Sequence, residues 1–184
     1  MSVAPSSPAR PFVAEDLDRM PEDGYRREVI GGTLVVTPSP VGRHQRCVGR
    51  LFIRLERACP ADLEVIVSPY DWRPPSGESF QPDLMVIRRA DFDPDGPLRA
   101  TPLLVVEVLS TSNAEQDRAV KRARYEALGV PAYWIVDPAV PALSALRRNA
   151  RGRYVETARA SGRQPLVADF PFAVELTPVE LVEP

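Results

Sequence analysis

Residues 103–109 read Leu-Leu-Val-Val-Glu-Val-Leu, and this segment limits the fold most tightly. A short, β-branched, nearly all-apolar run is the pattern of a strand covered on both faces, as in sheets with helices packed against them. Its one charged residue is Glu107. A carboxylate inside a doubly covered strand costs several kcal/mol unless it is paired or binds a metal ion. Two plainer readings stay open: a strand-end glutamate that reaches water, and a structural ion pair.

The surroundings of this strand extend the argument. Residues 113–128 follow it with helical periodicity; Ser110, Thr111, Ser112 and Asn113 are candidate caps, Glu115 and Asp117 lie early, and Gly129 stands at the end. A second buried strand spans 132–136 and stops at Asp137-Pro138. The order helix, meander, strand, helix, strand along the chain suits an α/β sandwich around a mixed sheet. Upstream, residues 12–20 suit a short helix that ends before Pro21. Residues 25–30 and 33–37 suit a hairpin turning at Gly31-Gly32, where positive φ is needed. Residues 43–58 form a helical pattern through Val48, Leu51, Phe52 and Leu55. Strands are predicted at 63–72 and 84–87, a Pro- and Asp-rich loop at 91–102, and a terminal hairpin from 143–148 and 154–158. The remainder reads as irregular with short elements. The expected architecture is α/β, with helices flanking a mixed central sheet.

At 184 residues, one domain over 12–184 is expected, preceded by a flexible arm at 1–11. No apolar run reaches the roughly 20 residues of a membrane span. The first residues lack the apolar core of a secretion signal, so a cytoplasmic location is expected. The net charge of −2 confines any nucleic-acid contact to a local patch. Cys47 and Cys59 have no CxxC spacing, and with a single histidine no zinc-finger spacing can be built. Phosphate-binding glycine loops, HExxH and GxSxG are all absent.

What remains is charge in costly places. Asp83 follows Pro82 at the start of a strand; with Glu107 on a second strand, two carboxylates could hold one hard cation such as Mg²⁺. Ala114, Asp117, Lys121, Tyr125 and Leu128 share one helical stripe. Tyr125 and Leu128 suit the sheet side, which would turn Lys121 inward. The alternative is an exposed Asp117–Lys121 pair worth about 0.3–0.5 kcal/mol. His44 shares a stripe with Val48, Leu51 and Leu55 and reads either as a packing residue or as a site residue. Arg43, Arg46, Arg50, Arg54 and Arg57 line one side of that helix, as a solvated face or as a row for phosphates, with Glu56 the only acid among them. Glu28 would supply a third carboxylate, though nothing local to it requires this.

Read together, these segments are similar to one family. Residues 28–36 (Glu-Val-Ile-Gly-Gly-Thr-Leu-Val-Val) resemble its E-L-I-D-G-E-L opening, with Gly31 where the family usually has Asp. Pro38-Ser39-Pro40 with Arg43-His44-Gln45, then Gln81-Pro82-Asp83-Leu84, then residues 105–110 (Val-Val-Glu-Val-Leu-Ser) match its next segments in order. Asp117, Lys121, Tyr125, Gly129-Val130 and residues 133–138 (Tyr-Trp-Ile-Val-Asp-Pro) complete the series. The chain thus resembles the Uma-two family of restriction-endonuclease-like proteins, in the PD-(D/E)xK nuclease superfamily, over roughly residues 12–182.

The resemblance implies a restriction-endonuclease-like core with Asp83 and Glu107 as ligands of Mg²⁺ or Mn²⁺ and Glu28 as a further acid. Leu109 occupies the place of the usual superfamily lysine, and the family pattern supplies Lys121 instead. The implied activity is Mg²⁺-dependent endonucleolytic hydrolysis of DNA by Asp83, Glu107 and Lys121. His44, Arg46, Arg50, Asp117 and Tyr125 are further candidate contacts to phosphate or site. A homodimer would suit cleavage of both strands. Two other functions compete: a nucleic-acid-binding or assembly module that kept the fold and lost cleavage, and a two-carboxylate glycosidase, which the shortage of aromatics near Asp83 and Glu107 disfavours.

Overall fold

The computed structural model of the chain describes residues 10–110 and 114–183, with residues 114–118 as backbone alone. Residues 1–9 of the expected arm, the candidate caps Thr111, Ser112 and Asn113, and the side chains of Glu115 and Asp117 lie outside this description.

The elements in order are α1 (Ala14–Leu17), β1 (Arg26–Ile30), β2 (Thr33–Thr37), α2 (Gly42–Ala58), β3 (Leu63–Val67), β4 (Leu84–Arg88), β5 (Leu104–Val108), α3 (Ala114–Ala127), β6 (Ala132–Asp137), β7 (Ala142–Arg148), β8 (Tyr154–Ser161), β9 (Leu166–Ala168) and β10 (Val174–Leu176). Six strands form the central sheet in the order β3-β4-β5-β6-β7-β8. β5 and β6 are parallel, joined through α3, and every other neighbouring pair is antiparallel. The chain is therefore a mixed α/β fold around a mixed sheet, as the sequence predicts. β1 with β2, and β9 with β10, make two small antiparallel sheets.

Alternation along the strands divides the core in two. Leu84, Val86, Leu104, Val106 and Trp134 face α2, whose Cys47, Val48, Leu51 and Leu55 pack onto them. Met85, Ile87, Val105 and Tyr133 face the other way, with Ile30 of β1 and Tyr125 of α3. By the same alternation Glu107, and Asp83 just before β4, belong to this second face. An aromatic chain fixes α3 there. Trp72 stacks on Phe80 at 5.2 Å, Phe80 meets Tyr125 at 5.2 Å, and Tyr125 meets Tyr133 edge-on at 5.4 Å.

One strand expectation needs correction. The strand predicted over 63–72 ends at Val67, because Pro69 has no N–H to extend the ladder. Trp72 makes separate backbone bridges to Phe80 and Leu98 instead. The C-terminal stretch, read as irregular with short elements, holds β9, β10 and a 3-10 turn at Pro178–Leu181; these pack against α2 and add Leu166, Leu176 and Leu181 to the core.

The β1–β2 turn carries the backbone requirement read from Gly31-Gly32, with φ of +57° and +78°. A Cβ on Gly32 would also lie 2.8 Å from Pro11 Cβ. Gly32→Ala is expected to destabilise the fold by about 1–3 kcal/mol, the cost of a residue forced into left-handed backbone. Urea unfolding measures this, and an unchanged midpoint would contradict the turn as described.

Candidate active site

Continuing the β4–β5 register, in which Leu84 faces Val106, by one residue sets Asp83 opposite Glu107. Cross-strand neighbours share a sheet face, so both carboxylates project to the same side. Asp83 is 2% exposed, and its Oδ2 accepts the Val108 N–H at 2.8 Å and lies 3.2 Å from His44 Nε2. Its Oδ1 accepts a bond from Arg26 Nη1 at 3.1 Å. His44 thus reaches across from the first turn of α2, and its helical stripe points into the sheet.

Glu28 enters from β1, where Val29 exchanges backbone hydrogen bonds with Ser79 and ties the hairpin to the segment leading into β4. Glu28 is 1% exposed. Its Oε1 accepts the Gln81 N–H at 2.9 Å, two residues before Asp83. Lys121, one helical turn before Tyr125, faces the sheet and ends the ambiguity of its stripe. Its Nζ lies 3.0 Å from Glu28 Oε2 and 3.0 Å from Glu107 Oε1. The Tyr125 hydroxyl donates to the same Glu107 oxygen at 2.7 Å. Two neighbours on one helical face therefore hold one carboxylate oxygen.

Arg26 completes the cluster, and the sequence reading did not single it out. The one available signal was its spacing: residue i−2 of a strand lies on the same face as Glu28. Its Nη2 is 3.3 Å from Glu28 Oε2 and 4.0 Å from Glu107 Oε2. Three carboxylates thus surround two cations. Among the described residues, no three His, Cys, Asp or Glu side chains form a preformed metal cage.

Two of the expected contacts lie apart from this cluster. Arg50 donates to the Glu180 carbonyl at 3.1 Å, and the neighbouring Arg54 pairs with the Glu180 carboxylate at 2.7 Å. An acid from the C-terminal turn therefore offsets part of the arginine row, a partner invisible in the helix sequence. Arg43 and Arg46 stay exposed on α2. The Asp117 side chain is not among those described.

The three acids titrate differently. Burial works to raise Asp83, but the His44 hydrogen bond and the Arg26 charge outweigh it and hold the carboxyl below the usual range. Burial likewise opposes the charge on Glu28, and Lys121, Arg26 and the Gln81 N–H prevail, so it too is lowered. At Glu107 burial wins over Lys121, with the Asp83 charge adding to it, and the carboxyl is raised. Lys121 is kept charged: Glu107 and Glu28 overcome the burial that would lower it. Burial first, then the Glu107 charge, push the Tyr125 hydroxyl well above its ordinary value.

A mixed sheet with acids on two adjacent strands, a third acid from an N-terminal hairpin and a lysine from the next helix defines a restriction-endonuclease-like protein. The chain belongs to the Uma2 family, described as "Putative restriction endonuclease", whose model matches residues 14–179. Among solved structures it is similar to one described as a "putative nuclease belonging to DUF820" from Anabaena variabilis, with a TM-score of 0.73 and 16% identity over 94% of this chain and 98% of that one. At that identity the likeness is one of fold. No curated protein matches the sequence. No helix among the described residues is long and apolar enough to cross a membrane.

Opposite stability effects follow from the opposite shifts. The lowered Asp83 adds stability above its unfolded value, about pH 4, and loses it as pH falls further. The raised Glu107 adds stability at acid pH and loses it as pH rises through its folded value. At pH 7, Asp83→Asn is expected to cost about 1.5–3 kcal/mol, the scale of hydrogen bonds to a charged group, with the difference from wild type shrinking below about pH 4. Glu107→Gln is expected to match or exceed wild type at pH 7. Thermal unfolding across pH checks both, and a Glu107→Gln protein weaker than Asp83→Asn at pH 7 would reverse the assignment.

Proposed function

We propose that this protein is a divalent-metal-dependent endonuclease that hydrolyses DNA phosphodiesters, working as a homodimer so that both strands of a duplex meet a site. The observation that carries the reading is the buried lysine shared between two acids, Lys121 Nζ at 3.0 Å from both Glu28 and Glu107, beside a third acid on the adjacent strand.

The fold family implies Mg²⁺ or Mn²⁺, and the donor chemistry fits. Asp83 Oδ1 and Glu107 Oε2 are hard oxygen donors on neighbouring strands, and their partner among the described residues is the Arg26 guanidinium. Asp83 and Glu107 would hold the ion, with Glu28 supporting through its own hydrogen bonds. When bound, such an ion polarises the phosphate and acidifies an attacking water.

The side chains do the rest. Tyr125 and Lys121 fix the Glu107 rotamer through Oε1, leaving Oε2 directed at the site. His44 and the Val108 N–H fix Asp83 in the same way through Oδ2. The Lys121 ammonium, held charged, offsets negative charge that develops on the phosphate in the transition state. Exposed Arg43 and Arg46 on α2 offer the strand backbone a cationic approach.

The competing reading, a binding module of the same fold without cleavage, draws support from the cation already seated among the acids. Supercoiled plasmid separates the two. The proposed enzyme nicks it with Mg²⁺ or Mn²⁺ and not with EDTA. Asp83→Asn is expected to lose at least about a hundredfold in rate, since a metal ligand supplies several kcal/mol at 1.36 kcal/mol per tenfold. Equal metal-dependent nicking by both proteins would refute the site. Salt-sensitive DNA binding with no nicking by either would favour the binding module.

A further inference from the structure

We propose that Arg26 is a resident counter-cation that holds the two metal-facing oxygens of the site until a divalent ion displaces it. The inference rests on the metal-dependent reading above and concerns what this chain does before the ion arrives. Asp83 and Glu107 each have one oxygen fixed from behind, by His44 and Val108 in one case and by Lys121 and Tyr125 in the other. The opposite oxygen of each faces Arg26, with Nη1 at 3.1 Å from Asp83 Oδ1 and Nη2 at 4.0 Å from Glu107 Oε2. One planar guanidinium therefore faces both carboxylates that would hold a divalent ion.

Charge leads to the same assignment. With all three acids ionised, the state a cation would bind, Glu28, Asp83 and Glu107 face Lys121 and Arg26 and one negative charge is left uncompensated. A doubly charged ion in place of the guanidinium balances the cluster, whereas an ion added beside Arg26 would overfill it with positive charge. Lys121 is the poorer candidate to leave. Its side chain is 10% exposed and makes two short contacts, while the Arg26 side chain is 23% exposed and already borders water. The Arg26 contacts are also long or incomplete. Its Nε is buried with no hydrogen-bond partner, and a guanidinium left partly unsatisfied gives up its place more readily than a fully bonded one. Arg26 starts β1 beside the exposed Tyr25, so its side chain can swing outward without moving the ladder that holds Glu28.

Without Arg26, three carboxylates would repel one another around a single lysine. With it, the acids keep their geometry in the ion-free protein, and a metal ion must compete for the site. Apparent metal affinity is then set by this competition as well as by the ligands.

The test is Mn²⁺ binding to the full chain, read by the electron paramagnetic resonance of free Mn²⁺ and independent of any cleavage. Arg26→Met, which keeps the stem and removes the charge, is expected to bind Mn²⁺ about tenfold tighter or more, with Arg26→Lys between it and wild type. Equal or weaker binding by a folded Arg26→Met protein overturns the proposal and leaves the metal-dependent reading intact. No Mn²⁺ binding by either protein at millimolar concentration overturns both. Wild type alone supplies a second readout that needs no variant to fold. The reactivity of Arg26 toward phenylglyoxal, mapped by peptide mass spectrometry, should rise at least severalfold on adding Mg²⁺, and an unchanged reactivity likewise counts against displacement.

Discussion

A buried ammonium shared by two carboxylates organises this molecule. Lys121 lies 3.0 Å from Glu28 and 3.0 Å from Glu107, and it draws together a hairpin, a central strand and a helix that are distant in sequence. None of these charges is stable in that position alone. Taking away the lysine would leave two buried carboxylates facing each other, at a cost of about 3–5 kcal/mol, so the acids persist there because Lys121 does. The sheet beneath supplies the rigidity this needs. Val105 and Tyr133 pack against Tyr125, and Tyr125 in turn fixes the turn of α3 that carries Lys121.

The site is also asymmetric. Each of Asp83 and Glu107 has one oxygen anchored by the scaffold and one turned toward Arg26. Burial raises Glu107 while its neighbours stay low, so the cluster holds one carboxyl that resists ionisation among others that do not. Closely spaced acids with separated titrations are common where a protein prepares to exchange a proton or an ion.

Much of the frame was legible because the hydrophobic pattern is strong where burial is deep. Residues 103–109 and 132–136 became β5 and β6 with boundaries moved by one residue or less, since apolar runs between helix and loop signals admit little else. The helix over 43–58 is α2 extended by one residue, and Gly31-Gly32 is the turn of the first hairpin. The strand predicted to reach Trp72 was too long, because a proline without a donor ended the ladder sooner than the apolar pattern did. β9 and β10 were unreadable as strands: at three residues each, they exist through packing under α2.

What the sequence determined by itself was the cost of its charges. Glu107 in an apolar strand and Lys121 on a sheet-facing stripe required partners, whatever those partners were. Which ones they met was decided only by tertiary structure. The β4–β5 register set Asp83 against Glu107, a bridge at Val29 brought Glu28 beneath Gln81, and the pleat of β1 carried Arg26 in with it. Likewise Glu180, far along the chain, took up Arg54 in a helix that looked almost uncompensated. Pattern along a chain reports how much burial each position will bear, because that depends on the residue and its near neighbours. The identity of a partner depends on register and packing between distant segments, and those are settled only when the sheet closes around its core.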